Sequence, residues 1–374
     1  MKKLNTAIIF IISIKNIFFI NFKIFFIKKI YKKKIIIYYH PKPALTKIHD
    51  FYVKDLFYNL NPNFEILHLY NLDLLNKKSF NSLLIVKQIL LRWIFGVDIF
   101  ISSNVCDVFT KNSTRIYMHH TIYDTPLISE NKEKEFLNRI LKFDYFFLSS
   151  NTTEKFFNYL FRNINKRLKP KIYHIGYPKI DYFLKKKKNY KRKKVIIIAP
   201  TLFNSFPNLS LKNSLEQIII NLLQNKKYHI IFRPHPSDAK SEKVNSVFQK
   251  FNKIKNFSIN TSDDYFKLYK ESECLITDLS DTAYTYAILT GNPVMFVSID
   301  EKYIKRYNKK KGLKYFKKRR LIGNVLTDVK KININFNLLK KRRKFHNIEI
   351  NKIKKEIYYL GKSKKRLGNL INNI

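Results

Sequence analysis

Cysteine is nearly absent from the chain, because Cys106 and Cys274 are the only two among 374 residues. Two cysteines cannot build a disulfide framework or a thiolate zinc cluster, and they are typical of a protein from a reducing compartment. Glycine and proline are also scarce, at seven and eleven residues, which excludes collagen-like and loop-dominated chains. Since 374 residues exceed what one hydrophobic core usually serves, we expect two domains.

Acidic residues are few as well: 27 Asp and Glu stand against 73 Lys and Arg, a formal charge of +46. Only 13 of the basic residues are Arg. Because nucleic-acid binders use Arg for bidentate contacts to bases and phosphates, this scarcity argues against nucleic acid as a partner. The charge fits an anionic membrane or a phosphate-rich polymer, and also compositional drift toward Lys on solvated faces.

The first 30 residues are apolar but lack a long uncharged run. The longest, Leu4–Ile14, has eleven residues, whereas a bilayer requires roughly twenty. Lysines interrupt the Ile and Phe runs, which predicts a helix lying in the membrane interface; a buried helix or a disordered leader is the alternative. Lys302–Arg320 contains no acidic residue and predicts a second surface for anionic lipid or polymer, unless it is only a solvated helix face.

From residue 34 onward, short apolar runs alternate with helical stretches. The runs are continuously apolar, which is typical of strands buried on both faces. This alternation predicts an α/β fold of two Rossmann-like domains, with parallel sheets facing a central cleft. The predicted strands are Ile35–Tyr39, Phe64–Leu69, Val97–Ser102, Arg115–Met118, Asp144–Leu148, Val195–Ala199, Tyr228–Arg233, Phe257–Asn260, Cys274–Thr277 and Pro293–Ser298. The predicted helices are Thr46–Leu60, Asn81–Phe95, Leu211–Leu223, Ser237–Phe251, Asp264–Glu271 and Thr282–Thr290.

A lysine-dense stretch at Lys185–Lys194 reads as a linker between the two halves. We therefore expect a membrane-interfacial segment over 1–30 and an N-terminal Rossmann-like acceptor domain over 31–185. A C-terminal Rossmann-like domain over 186–345 and a basic helical tail over 346–374 complete the expected organisation.

Ligands of open parallel sheets bind beyond the carboxyl ends of the strands, so the residues that close each apolar run are candidates for the site. His119 and His120 follow one strand, and a His at a strand end can act as a general base near neutral pH. The pair could equally be structural.

Two further predicted strands end in unusual polar residues. In Arg233-Pro234-His235-Pro236, prolines restrict the backbone around an Arg and a His, which suits a phosphoryl group. Thr277-Asp278-Leu279-Ser280-Asp281-Thr282 opens a predicted helix, where free N–H groups and hydroxyls favour an anion. Asp281 would repel a phosphate there, so capping alone is the alternative.

Read in order, the segments HHT, GYPKID, APT, RPHP and ITDLSDTAYTYAILTGNPVMF resemble the CDP-glycerol glycerophosphotransferase family, which includes teichoic-acid primases and polymerases. The resemblance spans roughly residues 97–300 and is collinear. It implies a GT-B fold with the donor nucleotide in the C-terminal domain. It also implies transfer of an alditol phosphate from a CDP-linked donor to a hydroxyl, with two essential histidines.

Carried onto this chain, the two histidines are His235 and either His119 or His120. A register with H-S-x relatives selects His120, which we favour, and a register with H-G-T relatives selects His119. Asp281 replaces the second Ser of the family's T-D-Y-S-S, which leaves a related polyol phosphate or a sugar nucleotide open as donor. The donor-side residues are Pro200, Thr201, Arg233, Thr277, Asp278, Ser280, Asp281 and Thr282.

We therefore predict a transferase of cell-envelope polymer synthesis, acting on CDP-glycerol or a similar donor and a glycan or lipid-linked acceptor. It is expected to be cytoplasmic and peripheral on the inner face of the cell membrane. No cofactor or metal is expected, since Asp263-Asp264 reads as a helix start. The alternatives are a GT-B sugar-nucleotide glycosyltransferase for capsule or lipopolysaccharide, and an inactive basic protein that binds membranes or polymers.

Overall fold

The computed structural model describes residues 2–40, 60–71, 84–124, 130–185, 190–262 and 265–374. The chain forms two compact units, and each contains one parallel sheet. Unit 1 comprises Met1–His120, Ser129–Lys179 and Lys362–Ile374, and unit 2 comprises Thr121–Ile128 and Ile180–Gly361. The predicted helix at Thr46–Leu60 lies outside the described residues, except for Leu60. The Asp263-Asp264 pair lies outside them entirely.

Unit 1 is built on a seven-stranded sheet in the order β3-β2-β1-β4-β5-β6-β7, with parallel pairing throughout. Its strands are β1 Lys34–His40, β2 Phe64–Tyr70, β3 Leu84–Ile85, β4 Ile99–Ser102, β5 Thr114–Met118, β6 Tyr145–Leu148 and β7 Lys171–His174. Its described helices are α1 Lys2–Tyr31, α2 Glu130–Ile140, α3 Asn151–Leu160 and, at the chain's end, α13 Ser363–Asn372.

Unit 2 is built on a six-stranded parallel sheet in the order β10-β9-β8-β11-β12-β13. Its strands are β8 Val195–Ile198, β9 His229–Phe232, β10 Phe257–Ile259, β11 Cys274–Thr277, β12 Val294–Val297 and β13 Gly323–Leu326. Its described helices are α4 Pro178–Lys185, α5 Leu215–Leu223, α6 Glu242–Phe251, α7 Phe266–Glu271, α8 Thr282–Thr290, α9 Glu301–Lys311, α10 Lys314–Ile322, α11 Ile332–Lys341 and α12 Arg343–Lys354.

Both sheets reverse their strand order after the first strand, between β1 and β4 and between β8 and β11. This is the strand order of a doubly wound Rossmann-like sheet, and the reversal marks where ligands bind in such folds. The prediction of two parallel α/β units is confirmed. The continuous apolar runs account for it, since Ile35–Tyr39 and Val195–Ile198 are buried along their whole length.

The predicted helix at Asn81–Phe95 is wrong for its described part. Residues 84–85 form β3, and Gln88–Trp93 is a short 3₁₀ helix. Pairing decides the outcome, because the Val86 amide donates to the Tyr70 carbonyl at 2.9 Å, which extends the sheet at the point where a helix was expected.

The units divide the chain at other positions than the lysine-rich stretch. All of α4 except Pro178 and Lys179 groups with unit 2, where the Phe183 ring stacks on Phe266 with centroids 5.0 Å apart. The last thirteen residues group with unit 1, where the Arg366 Nε donates to the His174 carbonyl at 3.3 Å. Charge density along the sequence therefore does not mark where packing changes.

α1 lies on unit 1 along one stripe of its surface. Two side-chain amides fix it there: Asn16 donates to the Ile85 carbonyl and Asn21 to the Trp93 carbonyl, each at 2.9 Å. By length and composition alone, Ala7–Tyr31 could also cross a membrane. The buried residues recur every three or four positions, the spacing of one helix face, and are Ile9, Ser13, Ile17, Ile20, Ile24 and Ile27.

Candidate active site

Three of the predicted motifs close neighbouring strands of unit 2. β9, β8 and β11 are adjacent in the sheet and parallel, so their carboxyl ends meet at one edge. Arg233–Pro236 follows β9, Ala199–Thr201 follows β8, and Asp278–Thr282 follows β11. The reversal of strand order between β8 and β11 lies in the middle of this group, which makes it the expected ligand position of the unit.

Asp278 ties two of these loops together from inside the protein. Its side chain is 1% exposed, and its carboxylate accepts from the amides of Thr201 at 2.8 Å, Leu211 at 3.0 Å and Leu279 at 2.6 Å. Burial raises the pKa of Asp278 from its usual value, and these amides oppose the shift. The structure therefore gives Asp278 a supporting position behind the loop after β8.

Thr277 has a similar position, because it is fully buried and its hydroxyl donates to the Ala199 carbonyl at 2.6 Å. Ser280, Asp281 and Thr282 are instead half-buried at the start of α8. The Thr282 hydroxyl lies 2.6 Å from the Tyr269 hydroxyl. Of the predicted donor residues after β11, these three are the ones that reach the surface of the loop.

His235 is half-buried and has a defined hydrogen-bonding role. The Ser237 amide donates to its Nδ1 at 3.2 Å, so the proton of the neutral imidazole belongs on Nε2. Such a group presents an N–H donor, or a cation once protonated, to any anion placed before it.

Arg233 lies at the base of the same loop and is 8% exposed. Its Nη1 donates to the Asn260 side chain at 2.5 Å and to the Ser262 carbonyl at 2.8 Å, and its guanidinium lies 5.0 Å from the centre of the Tyr265 ring. The structure thus places Arg233 as an anchor between the ends of β9 and β10, with its charge beneath the His235 loop.

A cavity of about 430 Å³ adjoins the His235 loop on the side of α6. Asp238 lies on its wall and accepts from the Phe203 amide at 2.9 Å, which holds the loop after β8 against the start of α6. Burial raises the pKa of Asp238 from its usual value. The other lining residues include Asn204, Lys212, Ser241 and Lys243.

In unit 1, the two histidines after β5 differ in burial. His119 is 2% exposed, and its ring meets that of Phe157 on α3 edge to face, with centroids 5.4 Å apart. His120 is half-buried, and the Tyr177 hydroxyl donates to its carbonyl at 2.8 Å. Of the two imidazoles, His120 is the more exposed.

Other polar groups, which the sequence motifs did not indicate, lie at the carboxyl edge of the first sheet. His40 ends β1, stacks on Tyr70 with centroids 4.5 Å apart, and lies 3.4 Å from His68 between ring nitrogens. Burial, with His68 as a second cause, lowers the pKa of His40 well below its usual value. The same strand-end reasoning that selected the pair His119 and His120 would have selected His40.

Ser102 to Asn104 close β4, on the other side of the strand reversal. The Ser102 hydroxyl donates to the Asn104 carbonyl at 2.8 Å and accepts from the Asn104 amide at 3.2 Å. These bonds form a tight, buried turn. It lies where a doubly wound sheet binds its ligand, and the polar residues directly after an apolar strand were the signal available for it.

Comparison with known proteins connects this arrangement to one family. Residues 104–373 match the family model of CDP-glycerol:poly(glycerophosphate) glycerophosphotransferases. No curated protein matches the chain.

The structure is similar to several solved structures. For the wall teichoic acid polymerase TagF, the TM-score is 0.61 at 20% identity, covering 91% of this chain and 89% of that one. For Staphylococcus aureus MnaA with UDP, it is 0.58 at 14% identity, covering 90% and 96%. For the UDP-GlcNAc 2-epimerase of Methanocaldococcus jannaschii, it is 0.53 at 16% identity, covering 91% and 100%. At these identities the likeness establishes the fold.

Proposed function

The chain belongs to the CDP-glycerol:poly(glycerophosphate) glycerophosphotransferase family, and on that premise we propose how its residues move glycerophosphate from CDP-glycerol to an acceptor hydroxyl. The observation that carries the proposal is the meeting of three motifs at the strand reversal of unit 2. There His235, the loop after β8 and the start of α8 share one edge of the sheet, and Asp278 joins two of them.

The donor binds at this edge of unit 2. The α8 N-terminus, with Ser280 and Thr282, supplies hydroxyls and backbone N–H groups to the diphosphate. His235 donates through Nε2 to the phosphoryl oxygens, and the guanidinium of Arg233 adds positive potential from beneath the loop. Thr277 and Asp278 hold the loops in place without contacting the donor, because both are buried.

His120 acts as the general base. It takes the proton of the acceptor hydroxyl, whose oxygen forms a bond to the β-phosphorus of CDP-glycerol. The bond from that phosphorus to the bridging oxygen breaks, and CMP leaves with the electron pair. A positioned base of this kind contributes typically a hundredfold or more to the rate.

The test measures CMP release from CDP-glycerol with a glycerol phosphate oligomer as acceptor. The wild-type protein should release CMP, and His235→Gln should lose about a hundredfold in kcat, because charge-stabilising donors contribute on that scale. UDP-GlcNAc in place of CDP-glycerol should yield no UDP. Turnover of UDP-GlcNAc but not of CDP-glycerol, or His235→Gln within threefold of wild type, would contradict the proposal.

We further propose that the enzyme works as a peripheral protein on the cytoplasmic face of the cell membrane, bound through α1. The buried stripe of α1 is covered by unit 1, so lipid can reach only its outer side. That side is apolar as well: Phe18 is 73% exposed and Ile11 is 66% exposed. Such a helix lies in the interface more readily than it crosses a bilayer.

The neighbouring 3₁₀ helix extends this surface. Ile89, Trp93 and Phe95 are exposed beside α1, and Trp is favoured at the boundary between acyl chains and headgroups. We call these residues and the outer side of α1 the apolar face. Apolar surface of this extent on a soluble unit marks an interaction site. Lys15, Lys23 and Lys29 on α1 provide charges for anionic headgroups.

A further inference from the structure

The chain leaves unit 1 directly after His120, because Thr121–Ile128 groups with unit 2. Thr121, Ile122, Tyr123 and Asp124 are all at most 6% exposed, although they form no helix or strand. We call residues 121–124 the strap. The Thr121 hydroxyl donates to the Tyr123 carbonyl at 2.8 Å within the strap. Its other described contacts are made with unit 2.

Asp124 fastens the strap to the start of α10. One carboxylate oxygen accepts from the Lys314 amide and the other from the Tyr315 amide, each at 2.7 Å. The first N–H groups of a helix have no partner within it, and Leu313, the residue before α10, provides no side-chain cap. Asp124 thus acts as a cap from a distant part of the sequence, and the helix dipole favours its negative charge.

α10 in turn supports the loop that starts α8. Tyr315 is fully buried, and its hydroxyl donates to the Ser280 carbonyl at 3.2 Å. Its own carbonyl accepts from the Tyr284 hydroxyl at 2.5 Å. The strap packs against Tyr284 as well, since the rings of Tyr123 and Tyr284 have centroids 4.2 Å apart. The strap and the Ser280 loop are therefore held by one packed group on α8 and α10.

We propose that Asp124 is a positioning residue for the transfer reaction: it fixes the backbone that leaves His120, while Tyr315 on the same helix fixes the Ser280 loop. The inference rests on the proposed role of His120 as the base. It assigns Asp124 an effect on turnover, because a base whose backbone is loosely held samples the reactive geometry less often. It assigns Asp124 no contact with the donor, since its side chain is 2% exposed and faces the α10 amides.

The experiment compares wild type, Asp124→Ala, Asp124→Asn and Asp300→Ala. Asparagine keeps one acceptor oxygen and serves as the conservative variant. Asp300 caps α9, where its carboxylate accepts from the Tyr303 amide at 2.8 Å, and it is exposed, so Asp300→Ala removes an aspartate cap of the same kind elsewhere in unit 2. For each protein we would measure kcat for CMP release, the Kd of CDP-glycerol by calorimetry, and the Tm.

The expected result is a loss of at least tenfold in kcat for Asp124→Ala, a smaller loss for Asp124→Asn, and a Kd within threefold of wild type for both. Asp300→Ala should keep the wild-type kcat. A kcat within threefold of wild type in both Asp124 variants would overturn the inference. So would a kcat loss matched by an equal loss of donor affinity, or by the same loss in Asp300→Ala.

If Asp124→Ala does not fold, Asp124→Asn decides by the same criteria. His120→Gln, measured in parallel, distinguishes failure of the proposed base from failure of the inference about Asp124. An active His120→Gln would remove the proposed base and the inference with it. An inactive His120→Gln beside fully active Asp124 variants would overturn the inference alone.

Discussion

Burial decides which of the two adjacent histidines after β5 is available for chemistry. Tyr117 and His119 point to the same side, where both meet Phe157, with ring centroids 6.2 and 5.4 Å from it. His120 is half-buried, and its ring lies 6.1 Å from that of His119 between centroids. The dipeptide cannot carry this information, because the burial of each imidazole depends on which helix packs against the strand end.

At the residue scale we therefore predict that His120→Gln lowers kcat for CMP release by about a hundredfold or more, without a large change in Tm. His119→Gln should lower Tm instead, because it places an amide among aromatic rings, and should leave kcat within about tenfold. Steady-state kinetics and thermal melting of the two variants provide the comparison. Equal kcat losses, or the reverse order, would show that the base is His119.

A second residue-scale prediction concerns pH. Burial raises the pKa of Asp124 to about 6, above its unfolded value near 4. The folded state thus binds this proton more tightly, so the carboxyl's contribution to stability is present below pH 4 and is lost as the pH rises through about 6. The unfolding free energy of wild type minus that of Asp124→Asn should fall by about 3 kcal/mol across this window, at about 1.4 kcal/mol per pH unit. Urea unfolding at pH 4, 5, 6 and 7 measures it, and a constant difference would contradict the shift.

At the scale of elements, the sequence predicted strands far better than it predicted their surroundings. Runs such as Val195–Ile198 are buried on both faces, so their composition alone identifies them. The sequence did not indicate β13, because the strand begins with Gly323 and Asn324. Its pairing with β12 depends on a neighbour rather than on its own residues. Asp278 was predicted as a donor contact from its motif, and only the fold shows that its carboxylate faces three backbone amides.

Gly323 gives a prediction at this scale. A Cβ at this position would lie 1.7 Å from the Val294 carbonyl oxygen of β12, so Gly323→Ala must push the two strands apart. We expect a loss of about 3 kcal/mol or more in unfolding free energy, the upper range for overpacking. Gly361→Ala is the control: its Cβ would meet open space, and only its φ of +83° adds a cost, of about 1 to 2 kcal/mol. Urea unfolding of both variants tests this, and a Gly323→Ala loss no larger than that of the control would contradict it.

For the whole molecule, the proposed membrane binding has two separable contributions, the charge of +46 and the apolar face. Each Lys near an anionic surface adds about 1 kcal/mol, and salt screens it. Each aromatic side chain of the apolar face that enters lipid adds roughly 1.5 to 3 kcal/mol, and salt does not screen it. A salt series therefore distinguishes the electrostatic contribution from the apolar one.

We predict that the protein co-sediments with anionic vesicles at low salt and keeps a salt-resistant fraction at 1 M NaCl. The triple variant Phe18→Ser, Phe22→Ser, Trp93→Ser should lose the salt-resistant fraction at least tenfold. Lys302→Gln, Lys305→Gln and Lys309→Gln together, on exposed positions of α9, should weaken only the salt-sensitive part. Wild-type protein that stays in the supernatant with anionic vesicles at low salt would show that the charge is compositional.

The contacts of α1 also set an order of events during synthesis. Asn16, Asn21 and Lys28 bind partners that lie 69, 72 and 70 residues further along the chain. At a translation rate of roughly 5 to 20 residues per second, the helix exists for about 4 to 14 s before those partners are made. During that interval both the stripe that unit 1 later covers and the outer side with its lysines are uncovered. The growing chain therefore presents α1 before its own unit can receive it, and if α1 binds the membrane as we propose, that contact precedes completion of the chain.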